Sequence, residues 1–387
     1  MIDDPPNQYI AVGTAYAYPD EEEPTRGRII LYAIKNSLDT KMSESDETHS
    51  YISRTVQQVT EHTTNGGVYS LAPFSNGGML GTVNSMTHLY RFRDIEGIAE
   101  LKVEPGASHH GHILSLFNKT LPSSPNLAII GDLMRSISVL EYSTEHHALE
   151  EVARDYNANW MTALEMLHSE IYIGAENWNN IFVLKRNLDG ECDEARCRLD
   201  TQGEFHLGEM VNKFMRGSLI MPTDTSGTIS SGLQSQKPAI EIGSQTLYVT
   251  VDGSIGSILG LNSKTFAFFN ALERAIAHVI PGVGNLSHDE YRAFDADRRV
   301  HPSHGIIDGD LVETFLDLKR SEMKKVLEFM NQDGTVDIES KSTTIDSGLN
   351  MLSENGSQES PAQGNTTRKK LTIEDVVTRV EEISRLH

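Results

Sequence analysis

The chain has 387 residues, enough for two or three domains, with 33 Lys and Arg against 55 Asp and Glu and a formal net charge of −22. That balance argues against a surface that grips a phosphate backbone, which needs clustered Lys and Arg, and favours a protein partner. Two cysteines without a companion pair for zinc, and no apolar run near the roughly 20 residues of a membrane helix, lead us to expect reduced thiols and no membrane contact.

In chain order, Met1 opens on an acidic, proline-containing segment in place of the basic and apolar start of a secretory signal, so an intracellular protein is expected. A motif then recurs: an apolar run closed by glycine or a turn, as YIAVGT (9–14), GMLGTVN (78–84), LAIIGDL (127–133), EIYIGAEN (170–177) and TLYVTVDG (246–253). A second apolar run follows each one: RIILYAI, THLYRF, SISVLEY, NIFVLK and SIGSILGL. Gly81, Gly131 and Gly174 stand roughly 45 residues apart, the period of four-stranded propeller blades. The stretch from Ala153 to Lys185 reads as most of one blade, with strands at Met161–Leu167, Ile171–Gly174 and Asn180–Lys185. We therefore expect an all-β propeller over residues 7–262. The polar stretches at 36–48, 189–203 and 223–236 read as solvated loops. The first strand group begins almost at Met1, and a propeller must close to remove its edges, so the chain is expected to be the C-terminal part of a longer product or a truncated gene model.

From Ser263 the apolar period changes from two to about 3.6, and residues 263–387 are expected to form a small C-terminal α-helical domain. Phe266, Phe269, Leu272, Ile276 and Val279 or Ile280 line one helical face, stopped by Pro281 and Gly282. A second helix is expected over about 310–330, with Asp308 or Asp310 as its cap. Residues 331–370, rich in Ser, Thr, Asn, Gly and Gln, are expected to be a disordered insert. The last helix has Thr372 as cap with Asp375 three residues on, then an apolar stripe of Ile373, Val376, Val377, Val380 and Ile383 that should dock on the body.

The words GDLMRS (131–136), ARDYNANWM (153–161), GAEN (174–177), FHLGEMVN (205–212), DGDL (308–311) and the terminal VEEISRLH are the most distinctive in the chain. Together they resemble the C-terminal third of the DNA damage-binding protein 1 branch of the cleavage and polyadenylation factor A-subunit family, over residues 7–330 and 371–387. Arg154-Asp155 and Asn159-Trp160 fit that branch best. The resemblance implies most of the family's third propeller plus its helical domain. It also implies a non-catalytic adaptor of cullin-4 ubiquitin ligases, linked to DNA repair, in the nucleus and also the cytoplasm. Substrate receptors would insert a helix against the third propeller; cullin would dock on the middle propeller, so this chain alone should not bind it, and nucleic acid would be reached through partners. The alternative, from the same family, is a scaffold for RNA cleavage, polyadenylation or splicing. The linker after Met330 is longer here than in the family, and the loops at 36–48 and 223–236 are altered.

By the same resemblance the receptor-facing positions are Leu114, Leu116, Phe117, Arg135, Trp160, Asn177, Met210, Asn212 and Val251. Long apolar and aromatic side chains supply a groove for a helix, and an Arg with two Asn can satisfy its polar groups. On residues alone, Leu114 and Leu116 alternate as any core-packed strand does, and Trp160 opens a strand where rim and core are both open. Phe117 and Met210 stand where the family has other apolar residues. No cofactor is implied. His109, His110 and His112 show no acidic or Cys companion in register and read as a polar connection, as do His301 and His304 beside Pro302. Asp308-Gly309-Asp310 lacks the further ligands of a calcium loop and reads as a helix cap. No catalytic constellation, P-loop or dinucleotide fingerprint stands out.

Overall fold

Apolar side chains at consecutive positions of a strand need a neighbour on both faces of the sheet. The computed structural model, which describes residues 8–42, 48–95, 98–220, 242–333 and 370–386, shows how the chain meets that demand. β1 (Gln8–Ala15), β2 (Gly27–Met42) and β3 (Thr48–Thr64) form a three-stranded antiparallel sheet. Three four-stranded meanders follow: β4 (Val68–Phe74) to β5 (Gly78–Val83), β6 (Met86–Ile95) and β7 (Ile98–His110); β8 (Ser115–Leu121) to β9 (Ser124–Asp132), β10 (Ile137–Ser143) and β11 (Ala148–Arg154); and β12 (Met161–Met166) to β13 (Ile171–Glu176), β14 (Asn180–Arg186) and, after the single turn α1 (Asp193–Arg196), β15 (Leu199–His206). A last sheet joins β16 (Val211–Arg216), β17 (Ile242–Thr250) and β18 (Ile255–Leu261). The leading strands β1, β4, β8, β12 and β16 lie next to one another in that order, which makes them the inner strands of successive propeller blades.

Each core cluster of the sheets is a seam between two blades. Leu127 and Ile129 of β9 pack with Leu164, Tyr172 and Phe182 of the fourth blade. Their neighbours Ala128 and Ile130 face the other way, onto Phe74, Leu80 and Leu89 of the second. Ile173, Ala175 and Ile181 in turn meet Val211 and Phe214 of the fifth. β9 thus buries six consecutive residues, and β13 five, without a polar face.

The repeat glycines sit on these second strands for a packing reason. A Cβ on Gly81 would stand 2.9 Å from Cε2 of Tyr90, and one on Gly131 would stand 3.2 Å from Cδ2 of Phe117. At Gly174 it would overlap Cζ of the fully buried Phe182 and lie 2.8 Å from Cε2. Gly174→Ala is therefore expected to destabilise the chain by about 2 kcal/mol in chemical denaturation, through overpacking, and Gly131→Ala by less. Equal losses at the two positions would refute this account.

Two stretches expected as loops are strand. Residues 36–42 continue β2 and pair with 48–54 of β3, from Asn36 opposite Arg54 to Met42 opposite Thr48. An antiparallel ladder uses backbone groups, so a polar stretch continues a strand wherever a partner strand is supplied. Residues 43–47 lie outside the described residues. Likewise β15 begins inside the acidic stretch at 189–203 and supplies the fourth strand of its blade, with Leu199 buried. Cys192 and Cys197 are exposed free thiols flanking α1. The stretch at 223–236 and residues 334–369 of the long insert lie outside the described residues.

The described residues of Met1–Gly217, Thr246–Ile258 and Arg292–Ile306 form one compact unit, and those of Ser218–Gln245, Leu259–Tyr291 and Ile307–His387 form another. The second unit contains α2 (Ser263–Val279) and α3 (His288–Tyr291). In the first, β19 (Phe294–Ala296) and β20 (Arg299–His301) make a small hairpin. α4 (Gly309–Glu313), α5 (Arg320–Asp333) and α6 (Ile373–Ser384) complete the helical unit. Phe269, Leu272 and Ile276 of α2, Val326 and Met330 of α5 and Val376, Val380 and Ile383 of α6 share one core. Phe268 is buried there as well, whereas Phe266 is only partly so.

Thr372 and Asp375 form the expected capping box, and Asp308 caps α4 through its bond from the Leu311 amide. The single helix expected over 310–330 is broken: a 3-10 turn at Thr314–Asp317 ends at Leu318, whose backbone is extended. The chain restarts where the Glu322 carboxylate accepts from the Lys319 amide at 3.1 Å. No proline or glycine marks that break. α3 was not expected, although Ser287 and Glu290 cap it reciprocally, a signal present in the sequence as SHDE. Among the described residues no helix is long and apolar enough to cross a membrane.

A candidate partner-binding rim

In an antiparallel meander the start of the first strand and the turn between the second and third lie at the same edge of the blade. Three blades repeat one hydrogen bond there. The amide of Leu133 donates to the carbonyl of Leu114 at 2.9 Å, that of Asn177 to Trp160 at 3.1 Å, and that of Val251 to Met210 at 2.9 Å. Five of the expected receptor-facing residues thus occupy equivalent places on the third, fourth and fifth blades. Arg135 is exposed in the β9–β10 turn, and Asn212 is exposed as the second residue of β16. Leu116 and Phe117 lie further along β8. Leu116 is partly buried, and Phe117 packs against Gly131 and the apolar seam, so its ring belongs to the packing between blades.

Trp160 is 40% exposed and Val251 is 58% exposed, so both present apolar surface to solvent. Trp160 meets Trp178 edge to face, ring centroids 5.8 Å apart and planes at 74°. These are the only two tryptophans of the chain, and residue-by-residue reading overlooked the second because it lies in the turn after GAEN. Tyr156, also exposed, stacks under the Arg154 guanidinium at 4.5 Å.

The rim loops hang from buried carboxylates. Asp132 Oδ2 accepts from the amides of Ile113 (2.8 Å) and Leu114 (3.1 Å), and Oδ1 from those of Met134 and Arg135 (both 3.1 Å). Asp155 Oδ2 accepts from Ser136 Oγ at 2.7 Å, and its Oδ1 from the amide of Asn157 at 3.1 Å. Ser136 has φ +58, and the Asn159 carbonyl receives its amide at 3.2 Å. On the fifth blade, bonds from the Thr250 and Ser254 hydroxyls hold the Glu209 carboxyl below the usual carboxylate range beside the turn carrying Val251.

Behind the rim, Arg299 of β20 donates to Asn159 Oδ1 at 2.9 Å and to Glu204 Oε1 at 3.0 Å. It thereby ties the hairpin to the residue that precedes Trp160. Glu176, fully buried, has its carboxyl pushed up to about 7 by burial, against the pull of the Asn180 amide and the Arg299 charge.

Two histidine readings change. His301 and His304, expected to be a plain connector, converge with Glu204: their ligand atoms all lie within 4.8 Å of one another. His109 and His112 do have an acidic companion, Glu151 Oε2 at 3.5 and 3.8 Å, which comes from the next blade and so was invisible in a local stretch. Arg154 Nη1 also stands 3.0 Å from His112 Nε2, making this an ion-pair cluster.

Residues 2–317 match the family model described as the CPSF A subunit region. The chain is 42% identical over 330 residues to DNA damage-binding protein 1b of Arabidopsis thaliana, 41% over 327 residues to DNA damage-binding protein 1 of Oryza sativa subsp. japonica, and 40% over 330 residues to DNA damage-binding protein 1 of Solanum lycopersicum. These matches cover 84 to 85% of this chain but 27% of each relative, so the chain spans about a quarter of their length. With a family match of that extent and relatives at two-fifths identity, the chain belongs to the CPSF A subunit family.

Proposed function

We propose that the chain serves as the receptor-binding part of a non-catalytic ubiquitin-ligase adaptor linked to damaged-DNA recognition, taking a partner's helix across the rim of its third to fifth blades. The observation that carries this reading is the Trp160–Trp178 pair, with Trp160 exposed, on a rim where Leu114, Asn177, Met210 and Val251 take equivalent blade positions and Arg135 and Asn212 are exposed. An aromatic pair held on loops fixed from beneath, on a rim that also carries an exposed Arg, is what a helical partner needs as an anchor. The relatives' names, which speak of binding damaged DNA, support the repair link. A net charge of −22 favours reaching DNA through partners. On this reading residues 7–262 are the partner-facing blades and 263–387 a helical domain. Cullin would engage a propeller outside the matched region, and the protein would work in the nucleus and cytoplasm. A scaffold for RNA processing is the second reading, favoured by the family model's own description.

Because both tryptophans sit on the rim, intrinsic fluorescence reports its occupancy directly. Titration with helical peptides from propeller-type substrate receptors is expected to shift that emission. Trp160→Ala should weaken binding by about tenfold or more, with little change in thermal stability. If the variant binds peptide normally, or melts sharply lower, the rim assignment fails. Affinity capture from cells separates the two readings: recovery of ligase receptors supports the first, and of polyadenylation or splicing subunits the second.

A further inference from the structure

We propose that Glu204, His301 and His304 bind a zinc ion, which staples the connector carrying β19 and β20 to the outer strand of the fourth blade. All three ligands come from this chain, so the site needs no partner protein.

The backbone sets two of the ligands. The Glu204 amide donates to the His304 carbonyl at 2.8 Å and the His304 amide donates back at 3.0 Å, an antiparallel bridge whose two side chains project from the same face. The approach is close enough to demand glycine next door. Gly305 has φ +69, and a Cβ there would overlap the carbonyl oxygen of Gln202. The third ligand is held by its ring: His301 stacks on the buried Phe294 with centroids 5.0 Å apart and planes at 2°.

The groups behind the ligands also match a metal site. Histidines that bind metal usually donate their other ring N–H to a backbone carbonyl or carboxylate, and ligating carboxylates are hydrogen-bonded in turn. His301 Nδ1 lies 3.3 Å from the Pro302 carbonyl, which leaves Nε2 for a ligand. Glu204 Oε1 is taken by Arg299, which leaves Oε2. Those two remaining atoms are 2.9 Å apart. A ring N–H donated from Nε2, or a metal ion bound by both atoms, accounts for that approach. The exposed His304 closes the site: ligand atoms now within 4.8 Å need to come to about 3.4 Å of one another around a tetrahedral ion. Two imidazoles and one carboxylate suit zinc rather than the all-oxygen preference of magnesium or calcium, and water would take the fourth position. Zinc binds the ring with its proton on Nδ1, so any proton carried on Nε2 leaves to solvent.

The chain, stripped with chelator and dialysed, is titrated with zinc chloride by calorimetry, and cobalt is substituted to give visible d–d bands. One zinc per chain is expected, with a rise in melting temperature that chelator reverses. His304→Ala and His301→Ala should each weaken uptake by roughly tenfold or more and abolish the cobalt bands, while His112→Ala leaves both intact. His304 is exposed, so its variant should fold normally. Absence of saturable uptake would reduce the cluster to a proton-bridged ion pair and overturn the proposal. Uptake unchanged in both histidine variants would place the ion elsewhere and overturn it as well.

Discussion

Asp132→Ala is expected to cost the chain about 4 kcal/mol in urea or thermal unfolding, because four backbone amides lose their common acceptor at once. The residue is buried, so water does not readily replace the carboxylate, and each orphaned amide adds its own desolvation cost. Asp132→Asn keeps the shape but turns one accepting oxygen into a donor facing two amides, so about half the loss should remain. The variants also test the rim, since the same carboxylate places Leu114 and Arg135. Helical-peptide binding should fall in the folded Asn variant although neither side chain has been altered. A loss below about 1 kcal/mol for the Ala variant would mean that the loops hold themselves, and that the carboxylate is incidental.

Stability is also expected to fall as pH rises, and Glu176→Gln should remove much of that slope. The folded chain holds a proton on Glu176 up to about 7, whereas the unfolded chain releases it near the ordinary value of 4.5. Between those values the native state binds more protons than the unfolded state, so stability is highest below the unfolded value, declines through the window and levels off above about 7. The gap corresponds to about 3 kcal/mol, and the residue's near-complete burial leaves little solvent screening to reduce it. Its Oε1 accepts from Asn180, a bond that Gln preserves, while Oε2 has no hydrogen-bond partner among the described residues. At about pH 8 the Gln variant should therefore exceed the parent in stability by about 2 kcal/mol, and near pH 5 the two should agree. Glu273 in the helical unit, also raised to about 7 by burial, contributes a second step that this substitution leaves in place. Melting curves against pH, taken with chelator present, decide the matter. Parallel slopes for parent and variant would show that Glu176 ionises normally.

Blade architecture was legible because it is written locally. An apolar run, a glycine and a second run recur at Gly81, Gly131 and Gly174, and only a strand opposed by a large ring on one side needs glycine there. The helix at Ser263 and the Thr372 cap were legible for the same reason, since periodicity and capping involve neighbours three or four residues away. Strand β15 and the 36–42 extension of β2 were not, because polar sequence gives no periodic signal when the partner strand supplies the ladder. The split between α4 and α5 was hidden as well, since nothing but an extended Leu318 and a side-chain cap at Glu322 marks it.

Of the candidate rim, the residue types and their recurrence at blade starts and turns are properties of the sequence. The Trp160–Trp178 contact, and the placing of Phe117 in the seam, belong to the fold. The sequence alone determined a chain of propeller blades followed by helices with a net charge of −22, because hydrophobic period and net charge act over short range or over the whole molecule. Tertiary structure alone decided which polar residues meet: Glu204 with His301 and His304, Glu151 with His109, and Arg299 with Asn159 across 140 positions. Such pairs are made by blades and connectors that return to one another after many residues, and no pattern within a strand or helix encodes that return.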